Sequence, residues 1–204
     1  MVVIDTTMAM LLFRRDVPKR ITDSKGNVID HADARVAHLV KMLDAQKSKI
    51  VIPTPVLSEL LVRSSPQDSQ LILEQINKLA VFRVEPFETK AAVEVAVMTR
   101  GALAAGDKKG GLTAPWQKVK FDRQIVAIAK TTQASVIYTD DDDIIAIAKS
   151  VNIPTLGLAD LELPPETAQG QLPFEKTQSV SDEISAQTKA HQEPDSPEDQ
   201  PGAG

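Results

Sequence analysis

Residues 136–143 read Val136-Ile137-Tyr138-Thr139-Asp140-Asp141-Asp142-Asp143. A short run of β-formers stops on a threonine, four acids follow, and residues 142–150 then space their apolar side chains at helical period. This is a strand, a carboxylate-bearing turn and a helix. The chain opens in the same way, with Val2-Val3-Ile4 ending on Asp5. Ile50–Ile52, Val81–Val84 and Ile153–Gly157 read as further strands, and 32–46, 54–63, 67–79, 87–103 and 120–133 as helices. Pro55 falls in a helical first turn after Thr54 as N-cap, Ser65-Pro66 opens another helix and Pro86 a third. Strands alternating with helices predict an α/β fold with a parallel sheet covered on both faces. Residues 14–30 and 104–116 read as surface loops, the second carrying Gly106, Gly110, Gly111 and Pro115.

Composition narrows the chemistry. The chain has 204 residues, 42% hydrophobic and 25% charged, as in an ordinary globular protein. Aromatic residues are only 3%, so the core is aliphatic and a surface that stacks several bases on rings is disfavoured. The absence of cysteine excludes disulfides, thiolate metal sites and cysteine nucleophiles, and three histidines argue against a histidine-rich zinc site. No apolar run reaches the ~18 residues of a membrane span. The N-terminus lacks the pattern of a signal peptide, and the expected location is the cytoplasm.

Charge divides the chain near Pro164. Residues 164–204 hold six of the thirteen prolines and carry eight acids against Lys176 and Lys189. That segment is −6 and residues 1–163 are +1, so the net charge of −5 misdescribes the folded part. With few large apolar side chains, 164–204 is expected to be a disordered acidic tail. Its small cluster of Leu172, Phe174, Val180 and Ile184 is open to a docking role.

In an open parallel sheet, ligands bind beyond the C-terminal strand ends. Asp5 and the 140–143 run are delivered to that edge by two strands. Glu59 lies in the helix after Ile50–Ile52 among apolar neighbours. Asp122 is expected in the first turn of a largely apolar helix, pointing out of the core toward the same edge. Each acid also has a structural explanation. Acids cap helices and favour their N-termini, which accommodates Asp122 and the aspartate run, and Glu59 suits an ordinary surface. Asp5 fits such a reading least, because an unpaired buried carboxylate is costly. If the acids converge, they repel unless a cation sits between them. An all-oxygen set selects a hard cation, Mg²⁺ or Mn²⁺. Such an ion suits phosphoryl chemistry.

Four segments in order then resemble the motifs of the PIN-domain family. They are Ile4-Asp5-Thr6-Thr7, Pro55-Val56-Leu57-Ser58-Glu59-Leu60-Leu61, the run from Phe121-Asp122-Arg123 to Ala129, and Ile137 to Ile144. They span roughly residues 1–160. The resemblance implies a Rossmann-like α/β/α sandwich and an Mg²⁺- or Mn²⁺-dependent nuclease acting on RNA, in many members a VapC-like toxin with an antitoxin partner. Asp5, Glu59 and Asp122 match the first three family acids. Asp141 matches the fourth, two positions after the motif threonine. Asp143 matches a position that is often acidic, and Asp140 stands where the family more often has Asn or Arg. Thr6 matches the hydroxyl residue supporting the site and Thr139 the motif threonine. The insert at 14–30, the loop at 104–116 and the acidic tail depart from the shorter VapC-like pattern.

The expected mechanism is metal-dependent phosphodiester hydrolysis leaving a 5′-phosphate and a 3′-hydroxyl. Asp5, Asp122 and Asp141 hold the ion in this scheme, with Asp143 assisting. Glu59 completes the set as a ligand or by orienting water. Lys108, Lys109, Lys118, Lys120 and Arg123 crowd the third acid and offer phosphate contacts, with Trp116 available to stack a base. Among these, Lys118, Lys120 and Arg123 are the RNA-binding candidates. Arg14, Arg15, Lys19 and Arg20 form a second basic stretch. A metal-free mechanism would use His31 and His38, seven apart on one helix. The family's dimers suggest a homodimer through helices 67–79 and 87–103. Rivals are a PIN-fold binding or scaffold protein without activity, and other acid-bearing α/β folds. The haloacid-dehalogenase pattern fails, because Asp5-Thr6-Thr7 lacks its second aspartate. A flap-type nuclease needs more acids, and a response-regulator receiver needs paired early acids and a late lysine.

Overall fold

The computed structural model describes residues 1–14, 21–22 and 26–165. The first compact unit spans Met1–Pro165. Residues 166–204 lie outside the described residues, and with them the expected disorder of the tail and its apolar cluster. Arg15, Lys19 and Arg20 also lie outside them.

The elements run β1 (Val2–Ile4), α1 (Thr6–Phe13), β2 (Ile21–Thr22), β3 (Val28–Ile29), α2 (Ala32–Ala45), β4 (Ile50–Pro53) and α3 (Thr54–Val62). They continue with α4 (Pro66–Lys78), β5 (Phe82–Glu85), α5 (Thr89–Ala104), α6 (Trp116–Thr131), β6 (Ile137–Tyr138), α7 (Asp142–Ser150) and β7 (Thr155–Leu156). A short 3₁₀ turn, Leu158–Asp160, follows. The expected parallel α/β sandwich is present. Five strands pair in the order β5-β4-β1-β6-β7, every pairing parallel. From β1 the chain winds outward through β4 to β5, then returns to β6 on the other side of β1. The order therefore reverses between β1 and β6, and their C-terminal ends form the crevice where such sheets bind ligands.

The central strands are apolar on both faces because helices cover both. Val3, Ile50, Val51, Ile52 and Ile137 are all fully buried. Helix α6 is buried along most of its length, with Ile125 through Ala129 in the core. Ser65 caps α4 by accepting from the Asp68 amide at 3.1 Å, with Pro66 in the first turn.

Several local expectations are corrected. Helix α1 lies outside the helices that periodicity predicts. Its sequence TTMAMLLF is apolar on nearly every side and so carries no 3.6-residue contrast to read. The 14–30 loop contains a two-residue ladder, Ile21 opposite Ile29 and Thr22 opposite Val28. Thr54 is the first helical residue of α3 rather than its cap; Pro53 takes that place. Helix α6 starts at Trp116, with Pro115 at the N-cap position. Asp122 is therefore in the second turn, not the first, and the capping explanation of Asp122 falls.

Asp140 belongs to the frame. Its carboxylate accepts from the Leu158 amide at 3.1 Å, tying the end of β6 to the turn after β7. Gly157 lies so close that a Cβ there would collide with Asp140 Oδ1. Gly157→Ala is expected to cost about 1–3 kcal/mol by overpacking. A thermal melt checks this; an unchanged melting temperature would contradict it.

Candidate metal-binding site

Helix α6 places Lys118 and Asp122 one turn apart, so both reach the crevice from the same face. Lys118 Nζ lies 2.9 Å from Asp122 Oδ2. The N-terminus of α7 supplies the other side. Asp141 is its N-cap, its Oδ1 accepting from the Asp143 and Ile144 amides at 2.9 and 3.3 Å. Asp141 and Asp143 then meet the same ammonium at 2.9 and 2.7 Å. The aspartate run is thus a helix cap and part of a charge cluster at once. Asp122, Asp141 and Asp143 each offer a carboxylate oxygen, all within 4.8 Å of one another. Among the described residues this is the grouping that could hold a metal ion.

Behind the cluster stands Asp5, 3% exposed. It caps α1, Oδ1 accepting from the Met8 amide at 2.8 Å. Its Oδ2 accepts from Thr139 Oγ1 at 2.6 Å, and that oxygen accepts from the Asp141 amide at 3.0 Å. Thr139 is fully buried, so one hydroxyl joins the first acid to the fourth. A parallel arm runs from Thr6, whose Oγ1 donates to Glu59 Oε2 at 2.8 Å. The other Glu59 oxygen pairs with Arg63 at 2.8 Å. The four acids therefore do not form one ring. Asp122 and Asp141 meet with Asp143, Asp5 is one hydroxyl away, and Glu59 is held by Thr6 and Arg63.

Burial dominates the electrostatics. It pushes the Asp5 carboxyl up to about 6 from 3.8, against the hydrogen bonds from Met8 and Thr139. Burial also raises Asp122 to about 6, partly offset by Lys118. For Lys118, burial works against the ammonium, but its bonds to Asp143, Asp122 and Asp141 outweigh it and raise its pKa. The raised Asp5 value has a definite sign. Between the unfolded and folded pKa the native state holds a proton that the unfolded chain has lost, so stability rises as pH falls from 7 toward 4. The span corresponds to roughly 3 kcal/mol. Melts in EDTA across that range should climb on acidification in the wild type and climb less steeply in Asp5→Asn, where Asp122 still supplies part of the slope. Parallel curves would refute the assignment to Asp5.

The basic residues divide. Lys118 sits inside the acid cluster rather than on an open surface. Arg123 is 3% exposed and donates to Thr99 Oγ1 at 3.0 Å, so it does not present a free guanidinium. Lys108, Lys120 and Arg123 surround the Trp116 ring at 5.2, 5.9 and 5.5 Å from its centroid. Those cations gather positive charge around the ring. Lys109 is structural: its Nζ donates to the Thr113 and Ala114 carbonyls. Asp107 accepts from the Lys109 and Gly111 amides and closes that loop. His31 occupies the N-cap position of α2 and His38 lies within that helix, neither in the acid cluster. Lys118 is the residue whose place sequence reasoning missed. Its i,i+4 spacing to Asp122 was the available signal.

The donor set fits a hard divalent cation, because it is all oxygen and already gathers around a positive charge. Sheet order and crevice together define a Rossmann-like α/β fold with an acidic cluster at its switch point. The chain is similar to the solved structure of FitAB bound to an IR36 DNA fragment: TM-score 0.52, 16% identity, covering 79% of this chain and 98% of that one. It is also similar to VapBC2 from Rickettsia felis bound to a DNA fragment from its promoter, with TM-score 0.50, 18% identity and coverage of 76% and 97%. At these identities the likeness establishes the fold. No protein-family model matches the sequence, and no curated protein does. Among the described residues, no helix is long and apolar enough to cross a membrane.

Proposed function

We propose that this chain is a metal-dependent endoribonuclease that uses Mg²⁺ or Mn²⁺, in the manner of a VapC-like toxin. The observation that carries the reading is the convergence of Asp122, Asp141 and Asp143 within 4.8 Å at the switch point. These three would hold the ion. A divalent cation bound there supplies charge to a phosphodiester and lowers the pKa of a bound water. Asp5 adds negative charge behind them and, through Thr139, holds the Asp141 backbone in place. Glu59, steadied by Thr6 and partly exposed, is positioned to orient water or to close on the ion. Lys120 and Lys108, on the Trp116 side, supply positive charge for phosphate.

The partners in this reading are RNA as substrate, an antitoxin, and a second copy of the chain. The antitoxin follows from the resemblance to VapC-like toxins. The second copy is supported by apolar residues that α4 and α5 leave exposed, Leu71, Leu73, Val93 and Val97 among them.

The test is end-labelled single-stranded RNA incubated with Mn²⁺ or Mg²⁺, against EDTA. Cleavage to 5′-phosphate and 3′-hydroxyl ends that EDTA abolishes is the expected result. Cleavage surviving EDTA would sink the metal reading. One observation favours a second reading, a PIN-fold binding protein without activity: the Lys118 ammonium already neutralises part of the cluster. No cleavage, together with no metal-induced rise in melting temperature, would favour that reading.

A further inference from the structure

We propose that Lys118 is a built-in competitor for the divalent cation: its ammonium occupies the cation position of the site and must leave when metal binds. The inference rests on the metal-dependent reading above. An ammonium has three N–H donors, and here each has a carboxylate of its own, Asp122 at 2.9 Å, Asp141 at 2.9 Å and Asp143 at 2.7 Å. These are the three acids that form the metal-competent group. The ammonium therefore satisfies the same negative charge that a metal would.

The competition is unequal in charge and unequal in concentration. Three carboxylates with one ammonium remain at −2; the same three with a divalent ion, and Lys118 gone, stand at −1. Charge favours the metal. Tethering favours the lysine, because it is delivered by the helix that carries Asp122 and acts at high effective concentration. Departure is sterically open. The Lys118 side chain is 39% exposed, and its stem of four methylenes turns easily. Once displaced, the ammonium stays within a side chain's length of the site, where it can meet a phosphate. The site is thereby held in a compact, metal-free form that needs enough free divalent ion to open.

The experiment is calorimetric titration of Mn²⁺ into the full chain and into Lys118→Met, with melting temperatures in EDTA. Lys118→Met is expected to bind Mn²⁺ at least ten-fold tighter while melting lower without metal, its three acids then lacking a counter-charge. Wild-type binding with equal or weaker affinity in Lys118→Met overturns this proposal and leaves the metal reading standing. Absence of binding to either protein overturns both. If Lys118→Met fails to fold, wild-type protein decides alone. The Lys118 Nζ resonance, assigned through its side-chain carbons, is followed as diamagnetic Mg²⁺ is added. It should move in step with site occupancy; a resonance unchanged at saturating Mg²⁺ overturns the proposal.

Discussion

In Asp122→Asn, Mn²⁺ should no longer raise the melting temperature, and RNA cleavage should fall about 10³-fold. The change keeps the shape of a buried residue and deletes its charge. Asp122 is the member of the cluster drawn from α6; Asp141, the N-cap of α7, and Asp143, in its first turn, come from the other side. Its loss removes the grip across the crevice and leaves two acids on one helix end. About 4 kcal/mol of metal-derived transition-state stabilisation corresponds to that rate loss. The wild type, at a hundred-fold excess of metal over its dissociation constant, gains about 2.7 kcal/mol, or roughly 5–10 °C in a chain of this size. The metal-free variant should be nearly as stable as the wild type. Burial raises the Asp122 pKa, so removing that carboxylate relieves a desolvation cost while sacrificing one pairing with Lys118. A variant that still cleaves RNA in Mn²⁺ at the wild-type rate would refute the assignment. Loss of cleavage through unfolding would show as a collapsed melt in EDTA.

Thr139→Val is expected to be the most destabilising change near the site, by about 3 kcal/mol. Valine reproduces the threonine shape, so the loss isolates the hydroxyl. That hydroxyl donates to Asp5 at 2.6 Å and accepts from the Asp141 amide at 3.0 Å, in a fully buried position. Its removal leaves a buried carboxylate short of one donor and a backbone amide short of its acceptor, and each unmade bond costs about 1–3 kcal/mol. The melting temperature should drop by roughly 6–12 °C. Thr139→Ser keeps both bonds and should lose far less. Equal destabilisation in the serine and valine variants would place the effect in packing instead. The valine variant should also show a steeper gain in stability on acidification, because Asp5 loses a bond that favours its charged form.

Much of the architecture was legible in local pattern. Continuous apolar runs marked β1, β4 and β6, since strands buried on both faces need no alternation. Ser65-Pro66 announced α4 through capping chemistry that acts within four residues. Where such contrast is missing, local pattern carries no signal. Helix α1 is apolar after Thr6 and Thr7, so its pattern does not announce the helix that Asp5 caps. Asp5 reads as the acid that fits a structural role least, because an unpaired buried carboxylate is costly, yet it is paired and caps α1. Asp122 presents the converse. A start at residue 120 puts it in the first turn, where the helix N-terminus favours an acid, and the actual start at Trp116 makes it an interior residue facing the crevice.

The sequence by itself determined the alternation of strand and helix, the placing of Asp5 and Asp140–Asp143 at strand ends, and the all-oxygen character of any site they form. These follow from side-chain type and spacing, which act over a few residues. Tertiary structure alone decided the division of labour among neighbouring aspartates. Asp140 turns to the Leu158 amide while Asp141 and Asp143 turn to Lys118. It alone carried Lys118 across from α6 to meet α7, 23 and 25 residues away in sequence. Direction at a helix terminus and distance between helices depend on how two elements pack, and no local spacing encodes either.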